Sequence, residues 1–156
     1  MTSVANAPFS HHPGLPRLAR RNGSTWLEAD GLPFLMLAGE TRNSSSSSLE
    51  YMKPIWPRLS RMNVNTVLPP LSWELIEPEE GRYDFALLEG LVDGAREHNL
   101  RLVFLWFGTW KNSKSSYAPA WVRTDTVRFP RALRETGEPT RTISMMSQEA
   151  READAR

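Results

Sequence analysis

The sequence predicts an α/β fold built around a parallel sheet. Three apolar runs begin at residues 34, 64 and 102, about one strand–helix unit apart, and helical patterns lie between them. Each run is apolar on both sides, which is typical of strands that are covered on both faces. Alternating strands and helices form parallel sheets with right-handed crossovers. A small open sheet and the front of a closed barrel both fit this pattern, and both interpretations stay open at this point.

The composition is that of an ordinary globular domain. The chain has 156 residues, of which 40% are hydrophobic and 24% charged, and its net charge of +1 argues against a nucleic-acid partner. It has no cysteine, which excludes disulfides and thiol nucleophiles. No apolar run approaches the ~18 residues that cross a bilayer, so no membrane partner is expected. No motif predicts a cofactor or a metal site, since the His11-His12 pair lies in the N-terminal tail.

The N-terminal residues 1–22 are predicted to be a disordered tail. They contain three prolines and no apolar segment that would act as a secretory signal, so a cytoplasmic location is expected. Order begins near Asn22-Gly23, with a short strand from Ser24 to Glu28. Asp30-Gly31 then predicts a hairpin turn.

The first strand is predicted over residues 34–38, followed by Gly39-Glu40. Ser48 is placed to cap a short helix, because a serine hydroxyl can accept a hydrogen bond from the backbone of the first turn. Pro54 and Pro57 predict a break and then a second helix, because proline suits a first turn and not a helix interior.

The second strand, residues 64–68, is predicted to stop at Pro69-Pro70. Asp84 is placed to cap a helix whose apolar positions repeat at helical spacing and which ends at His98-Asn99. The third strand is predicted over residues 102–107. A long irregular stretch follows, until Ser147 begins a last helix.

Residues suited to carbohydrate binding follow each predicted strand. Glu40 follows the first, Trp73 and Glu74 the second, and Trp110 and Asn112 the third. Carboxylate and amide groups hydrogen-bond sugar hydroxyls, and tryptophan rings offer flat faces for stacking. Solvated strand ends and packing aromatics account equally well for several of these positions. The adjacent residues 77–81 are predicted to form a structural turn.

The segment from Trp73 to Phe85 carries a family resemblance. Its pattern, Trp-x-x-x-Glu-Pro-x-x-Gly-x-x-Asp-Phe, resembles the front of β-galactosidase-type retaining glycoside hydrolases of families thirty-five and forty-two. Residues 29–34, 47–57 and 98–121 are similar to the same group. The resemblance implies a partial (β/α)8 TIM barrel with its first three βα units preceded by a short β-hairpin. Residues 23–156 would then be the N-terminal part of the catalytic domain, truncated before strand four.

The resemblance also implies what the chain lacks. The family hydrolyses a terminal β-galactoside with two carboxyl groups about 5 Å apart. Its acid/base is a glutamate that follows an asparagine at the end of strand four, and its nucleophile is a glutamate at the end of strand seven. This sequence contains no Asn-Glu pair, so no catalytic residue is assigned. The expected function is an N-terminal portion, inactive alone, that keeps part of the sugar-binding rim and whose partner is a β-galactoside or related carbohydrate.

Two alternatives remain beside this interpretation. One is a small non-catalytic carbohydrate-binding or interaction module with an aromatic rim, and the other is an unrelated open α/β domain. Three strands of an eight-stranded barrel would leave an open edge and an uncovered apolar interior. The sequence therefore predicts that the isolated chain is unstable, aggregation-prone or partly molten, with self-association or aggregation through the open sheet edge.

Overall fold

The computed structural model describes residues 15–156 of the chain. The strands are β1 Arg17–Arg21, β2 Ser24–Ala29, β3 Leu32–Pro33, β4 Ala38–Glu40, β5 Thr66–Leu68, β6 Pro70–Ser72, β7 Arg101–Leu102, β8 Leu105–Phe107, β9 Arg131–Leu133 and β10 Pro139–Ile143. The helices are α1 Leu49–Met52, α2 Trp56–Arg61, α3 Trp73–Ile76, α4 Ala86–Glu97, α5 Ala120–Thr124 and α6 Gln148–Asp154. In this part of the chain no helix is long and apolar enough to cross a membrane.

The N-terminal strands form an antiparallel sheet in the order β1-β2-β3. Order begins earlier than predicted, because β1 pairs with β2 from Arg17 opposite Glu28 onward. Asn22 and Gly23 have φ angles of 48° and 81°, so they form the turn of this hairpin and do not begin the folded region. The predicted disordered tail is therefore wrong for residues 17–21, and its residues 1–14 lie outside the described residues. The predicted turn at Asp30-Gly31 is confirmed between β2 and β3.

The central strands are parallel, as predicted, but the first begins later than expected, because β4 starts at Ala38 and residues 34–37 lie outside any strand. β4, β5 and β7 form one sheet in that order, and β6 pairs with β8 in the same parallel sense. The predicted end of the second strand at Pro69-Pro70 is wrong, because the chain resumes as β6 after a one-residue break. Proline lacks an N–H donor, but the Pro69 carbonyl still accepts a hydrogen bond from the Leu105 amide at 3.0 Å. The pairing therefore continues past the proline through its acceptor.

Helices α1, α2 and α4 cover one face of this sheet. The buried apolar residues between them form the first core cluster: Met52, Trp56, Val67, Leu71, Ile76, Leu91, Ala95 and Leu100. The predicted start of α1 and α2 is confirmed, since the Ser48 hydroxyl accepts from the Tyr51 amide and a proline lies in the first turn of α2. The predicted cap of α4 at Asp84 is wrong, because Phe85 is its N-cap, although the Asp84 carboxylate accepts from the Ala86 amide at 2.9 Å. The end of α4 at His98 is also confirmed.

Two glycines let the helices approach α4 closely. A Cβ atom built at Gly90 would lie 2.4 Å from the Leu49 side chain, and one at Gly94 would lie 2.6 Å from the indole nitrogen of Trp56. Both distances are far shorter than carbon contacts in packed proteins. The two positions are one helical turn apart, so they form a shallow groove along α4 that receives α1 and α2.

The strands of the parallel sheet differ in burial. Side chains alternate between the two faces of a strand, and Thr66 and Val67 of β5 and all three residues of β6 are buried, so the second strand is covered on both faces. Neither β4 nor β7 is fully buried, and Leu35 and Val103, which lie near them in sequence, are 71% and 41% exposed. The prediction of strands buried on both faces is therefore confirmed for the second strand and wrong for the first and third.

The C-terminal part is more ordered than predicted. The stretch expected to be irregular contains α5 and the antiparallel hairpin β9–β10. A second core cluster joins these elements to α3 and α6 and consists of Trp73, Ala118, Val122, Phe129, Ile143, Ala150 and Ala153. The predicted cap of α6 is confirmed, because the Ser147 hydroxyl accepts from the Ala150 amide.

Candidate functional site

The carboxyl ends of the parallel strands define the candidate site. β6 and β8 end in register, with Ser72 opposite Phe107. β4 ends nearer the amino ends of the strands, because Glu40 is in register with Leu68, four residues before Ser72. At ~3.3 Å per residue this places the end of β4 roughly 13 Å below the other two along the strand direction. The predicted site residues therefore follow strand ends at one edge, where parallel α/β folds bind ligands, but at two levels.

The two predicted carboxylates differ in their surroundings. Glu40 is exposed at the end of β4. Glu74 lies in the first turn of α3, where its carboxylate accepts a hydrogen bond from the Arg123 guanidinium at 3.1 Å. Both partners of this ion pair are partly exposed. Glu40 thus presents its carboxylate to solvent, whereas Glu74 shares its charge with an arginine.

Trp73 is placed differently from the prediction, since only 2% of it is exposed. Its indole N–H donates to the Glu77 carboxylate at 2.7 Å, and its ring meets Trp121 edge-to-face at 5.5 Å. This placement indicates packing in the second core cluster, with no ring face free for a ligand.

Glu77 begins the turn that the sequence predicted, and its carboxylate is buried, which the sequence did not indicate. Besides the Trp73 indole, its side chain accepts from the Gly81 amide at 2.8 Å, and its backbone carbonyl accepts from the Trp121 indole at 3.1 Å. The structural turn predicted over residues 77–81 is confirmed by these bonds. The burial of Glu77 could not be read from sequence, because Trp121, which donates to its backbone carbonyl, lies 44 residues away.

Trp110 is 43% exposed and lines a cleft of about 390 Å³. The cleft lies between the segment after β8 and helix α6. Its lining residues are Trp106, Thr109, Trp110, Ser144, Met145, Ala150, Arg151, Asp154 and Ala155. Its walls are mainly apolar and aromatic, with a few polar groups. They are suited to a ligand that has both an apolar face and hydrogen-bonding groups.

Asn112 lies in a tight exposed turn, two residues after Trp110 of this cleft. Its φ angle is 52°, in the left-handed region that asparagine tolerates better than most residues. Lys111 and Lys114 exchange backbone hydrogen bonds across the turn. The turn gives a structural reason for an asparagine at this position, while the exposed amide also remains accessible to a ligand.

An ion cluster at the surface ties the turn after Glu77 to helix α6. The Arg128 guanidinium donates to both oxygens of Glu80, at 2.6 and 2.7 Å, and to Glu149 at 2.7 Å. The hydrogen bond from Arg128, with a further one from Arg156, lowers the pKa of Glu80 from 4.5 to about 2. The described residues include no group of three or more histidine or acidic side chains that could hold a metal ion.

Comparison with known proteins assigns the family. The family model of glycoside hydrolase family 42, described as beta-galactosidase, matches residues 46–145. The chain belongs to this family. The predicted resemblance to a (β/α)8 glycoside hydrolase is thereby confirmed, and the alternative of an unrelated α/β domain is excluded.

Two solved structures are similar to this family 42 chain. The exo-beta-1,4-mannosidase Op5Man5 from Opitutaceae bacterium strain TAV5 matches with a TM-score of 0.52 and 22% identity, over 65% of this chain and 19% of the mannosidase. Endo-glycoceramidase II from Rhodococcus sp. matches with a TM-score of 0.44 and 20% identity, over 65% of this chain and 27% of that chain. A search of curated protein sequences found no match. The mannosidase match shows a mixed α/β fold that corresponds to part of a TIM-barrel glycoside hydrolase.

Proposed function

We propose that this family 42 chain forms the first three βα units of a β-galactosidase-like barrel and supplies part of its sugar-binding rim. The observation that carries the proposal is the common edge of the parallel strands. Within a chain of this family, Glu40 is the last residue of β4, and Glu74 and Trp110 follow the ends of β6 and β8 at the same edge. In (β/α)8 enzymes this edge holds the active site.

The rim residues divide the recognition of a sugar between them. The exposed ring of Trp110 stacks on the apolar C–H face of a pyranose, and the Asn112 amide donates to and accepts from hydroxyl groups. Glu40 accepts hydroxyl hydrogen bonds, and Glu74 does so while paired with Arg123. Trp73 is buried beneath this rim, where its indole N–H binds the Glu77 carboxylate and holds the turn that follows α3. It does not touch the sugar.

The chain does not hydrolyse the glycosidic bond alone under this proposal. Retaining hydrolysis needs two cooperating carboxyl groups about 5 Å apart. Two acidic side chains near this edge are already bound by protein groups, Glu77 by Trp73 and Glu74 by Arg123. The family pattern places both catalytic glutamates on later strands, and none of the rim residues matches either position.

The proposal is tested by measuring binding and turnover together on the 156-residue chain. A β-galactoside titration should quench tryptophan fluorescence saturably, and Trp110→Ala should abolish most of the quenching. Trp26→Phe is the matched control, because Trp26 is equally exposed but lies on β2. An aryl β-galactoside should give no turnover above a buffer blank. Turnover by the chain itself, or unchanged quenching in the Trp110 variant, would overturn the proposal.

A second candidate rests on the same exposed ring of Trp110. In a non-catalytic carbohydrate-binding module the rim would be complete, whereas a partial barrel offers only some of the contacts to the sugar. A dissociation constant in the millimolar range corresponds to about 4 kcal/mol of binding free energy and fits a partial rim. Micromolar affinity for a galactoside would favour the complete module.

Exposed apolar residues beside the outer strands support a further part of the proposal. Leu35 and Val103 are exposed near β4 and β7 in sequence, and β4 is an edge strand. Exposed apolar surface beside an unpaired strand edge favours association. We therefore propose that the isolated chain self-associates through this edge.

A further inference from the structure

Asp154, at the end of α6, binds the segment that follows β8. One carboxylate oxygen accepts from the Trp106 indole N–H and the other from the Thr109 amide, both at 2.7 Å. These partners lie 48 and 45 residues earlier in the chain. Hydrogen bonds to a carboxylate at this distance belong to the short, charge-assisted class. Both oxygens of Asp154 are therefore committed to one short segment.

Gly108, between the two donors, allows this contact. A Cβ atom at Gly108 would lie 1.9 Å from a carboxylate oxygen of Asp154, so any larger residue would displace the carboxylate. Helix stability does not account for an acid at position 154, because negative charge at a helix C-terminus opposes the helix dipole. The contact with the segment gives the carboxylate its structural role.

The bound segment leads directly into the rim. Thr109 precedes Trp110, and Trp106, Thr109, Trp110 and Asp154 line the same cleft. Thr109 is largely buried, so its amide position determines where the chain leaves β8 and enters the rim. Trp110 itself keeps an exposed ring. A change at Asp154 should therefore move Trp110 without removing any atom from its side chain.

We propose that Asp154 is a positioning residue of the sugar rim, which holds the Gly108–Trp110 segment against α6 so that the Trp110 ring keeps one orientation. Its effect on sugar binding rests on the proposed function, whereas its effect on the segment does not. The two effects can therefore be measured separately on the same variants.

Amide hydrogen exchange tests the effect on the segment. Asp154→Ala removes both acceptors and should lower the protection of the Thr109 amide at least about tenfold, as expected for a lost hydrogen bond to a charged group. Asp154→Asn keeps the shape and one acceptor oxygen, so its loss should be smaller. Glu152→Gln is the matched control on the same helix, since the Glu152 carboxylate accepts from the Gln148 side-chain amide at 2.7 Å and its change should leave Thr109 protection unchanged.

The outcomes separate the inference from the proposed function. Equal protection of Thr109 in the wild-type chain and Asp154→Ala, or no protection in the wild-type chain, would overturn the inference whether or not sugar binds. If Asp154→Ala loses amide protection throughout the chain, including in α4, the variant is unfolded and Asp154→Asn becomes the deciding variant.

Galactoside titration tests the link to the rim. The Asp154 variant that retains α4 protection should bind the galactoside at least a fewfold more weakly than the wild-type chain. If the wild-type chain does not bind the galactoside, the proposed function is wrong but the inference about the segment stands. If the Asp154 variant that retains α4 protection binds the galactoside as tightly as the wild-type chain, the link between Asp154 and the rim is wrong.

Discussion

The two core clusters are held together in different ways. The first lies between the parallel sheet and helices α1, α2 and α4, and it consists of apolar side chains from elements that follow one another in the chain. The second joins α3, α5, α6 and the β9–β10 hairpin. It is surrounded by side-chain hydrogen bonds over long sequence separations, such as those of Glu77, Arg128 and Asp154.

The difference shows how a protein orders a segment that has little regular structure. Short helices and strands of three and five residues, such as β9 and β10, bury too little apolar surface to define their own positions. A carboxylate that accepts two N–H groups defines position by geometry, because hydrogen bonds weaken steeply with misalignment. The first cluster should therefore respond mainly to lost volume and the second mainly to lost acceptors.

The largest effect is expected from Trp56→Ala in the first cluster. Trp56 is almost fully buried, and removing its ring leaves a cavity between α2 and α4. Such substitutions cost about 3–5 kcal/mol of unfolding free energy. Urea unfolding followed by circular dichroism measures the loss. Trp26→Ala on the exposed side of β2 is the control, and an equal loss in both variants would contradict the assignment of Trp56 to the core.

A loss of about 3 kcal/mol is expected from Glu77→Ala in the second cluster, since each buried N–H left unpaired costs about 1–3 kcal/mol. The indole of Trp73 and the amide of Gly81 both lose their acceptor. The same urea experiment measures the change. Glu79→Ala is the neighbouring control, because its exposed pair with Arg82 should contribute little. A Glu77 variant as stable as the Glu79 variant would show that the acceptor does not hold the cluster.

The smallest effect is expected from acid. Arg128 depresses the pKa of Glu80 in the folded chain to about 2, below its ordinary value of 4.5. A depressed carboxyl pKa contributes stability above about pH 4.5, and this contribution is lost as the pH falls from 4.5 toward 2. Urea midpoints of the wild-type chain and Glu80→Gln should therefore differ at pH 7 and converge as the pH falls from 4.5 toward 2. A difference that stays constant over this range would contradict the role of the ionised Glu80.

Elements with local signals were predictable from the sequence. The cap of α1 at Ser48, the cap of α6 at Ser147 and the turn at Asp30-Gly31 each depend on residues within a few positions of one another. The parallel order of the three strands also followed from their spacing, but the bounds of the first did not, since the apolar run 34–38 overlaps β4 only at Ala38. The strand β1 was missed because its charged composition resembles a tail, and only its pairing with β2 orders it.

The candidate site was less predictable, because contacts between residues far apart in the chain decide which side chains are exposed. Sequence position placed Trp73 and Trp110 equally well after strand ends, yet one is buried and the other exposed. The difference comes from Trp121 and Glu77, which enclose Trp73. Asp154 carried no signal at all, because an acid near the end of a helix is ordinary and its partners are more than 40 residues away.

Gly94 should make one side of α4 sensitive to mutation. Every substitution at a glycine adds at least one carbon atom, and at Gly94 that atom meets the buried ring of Trp56, whereas at Gly90 it meets the flexible end of Leu49, which is 44% exposed and can shift. The outer side of the same helix should tolerate many residues, so tolerance should change abruptly around its circumference. In a library of random variants, the strong loss at Gly94 should mark the line along which α2 docks.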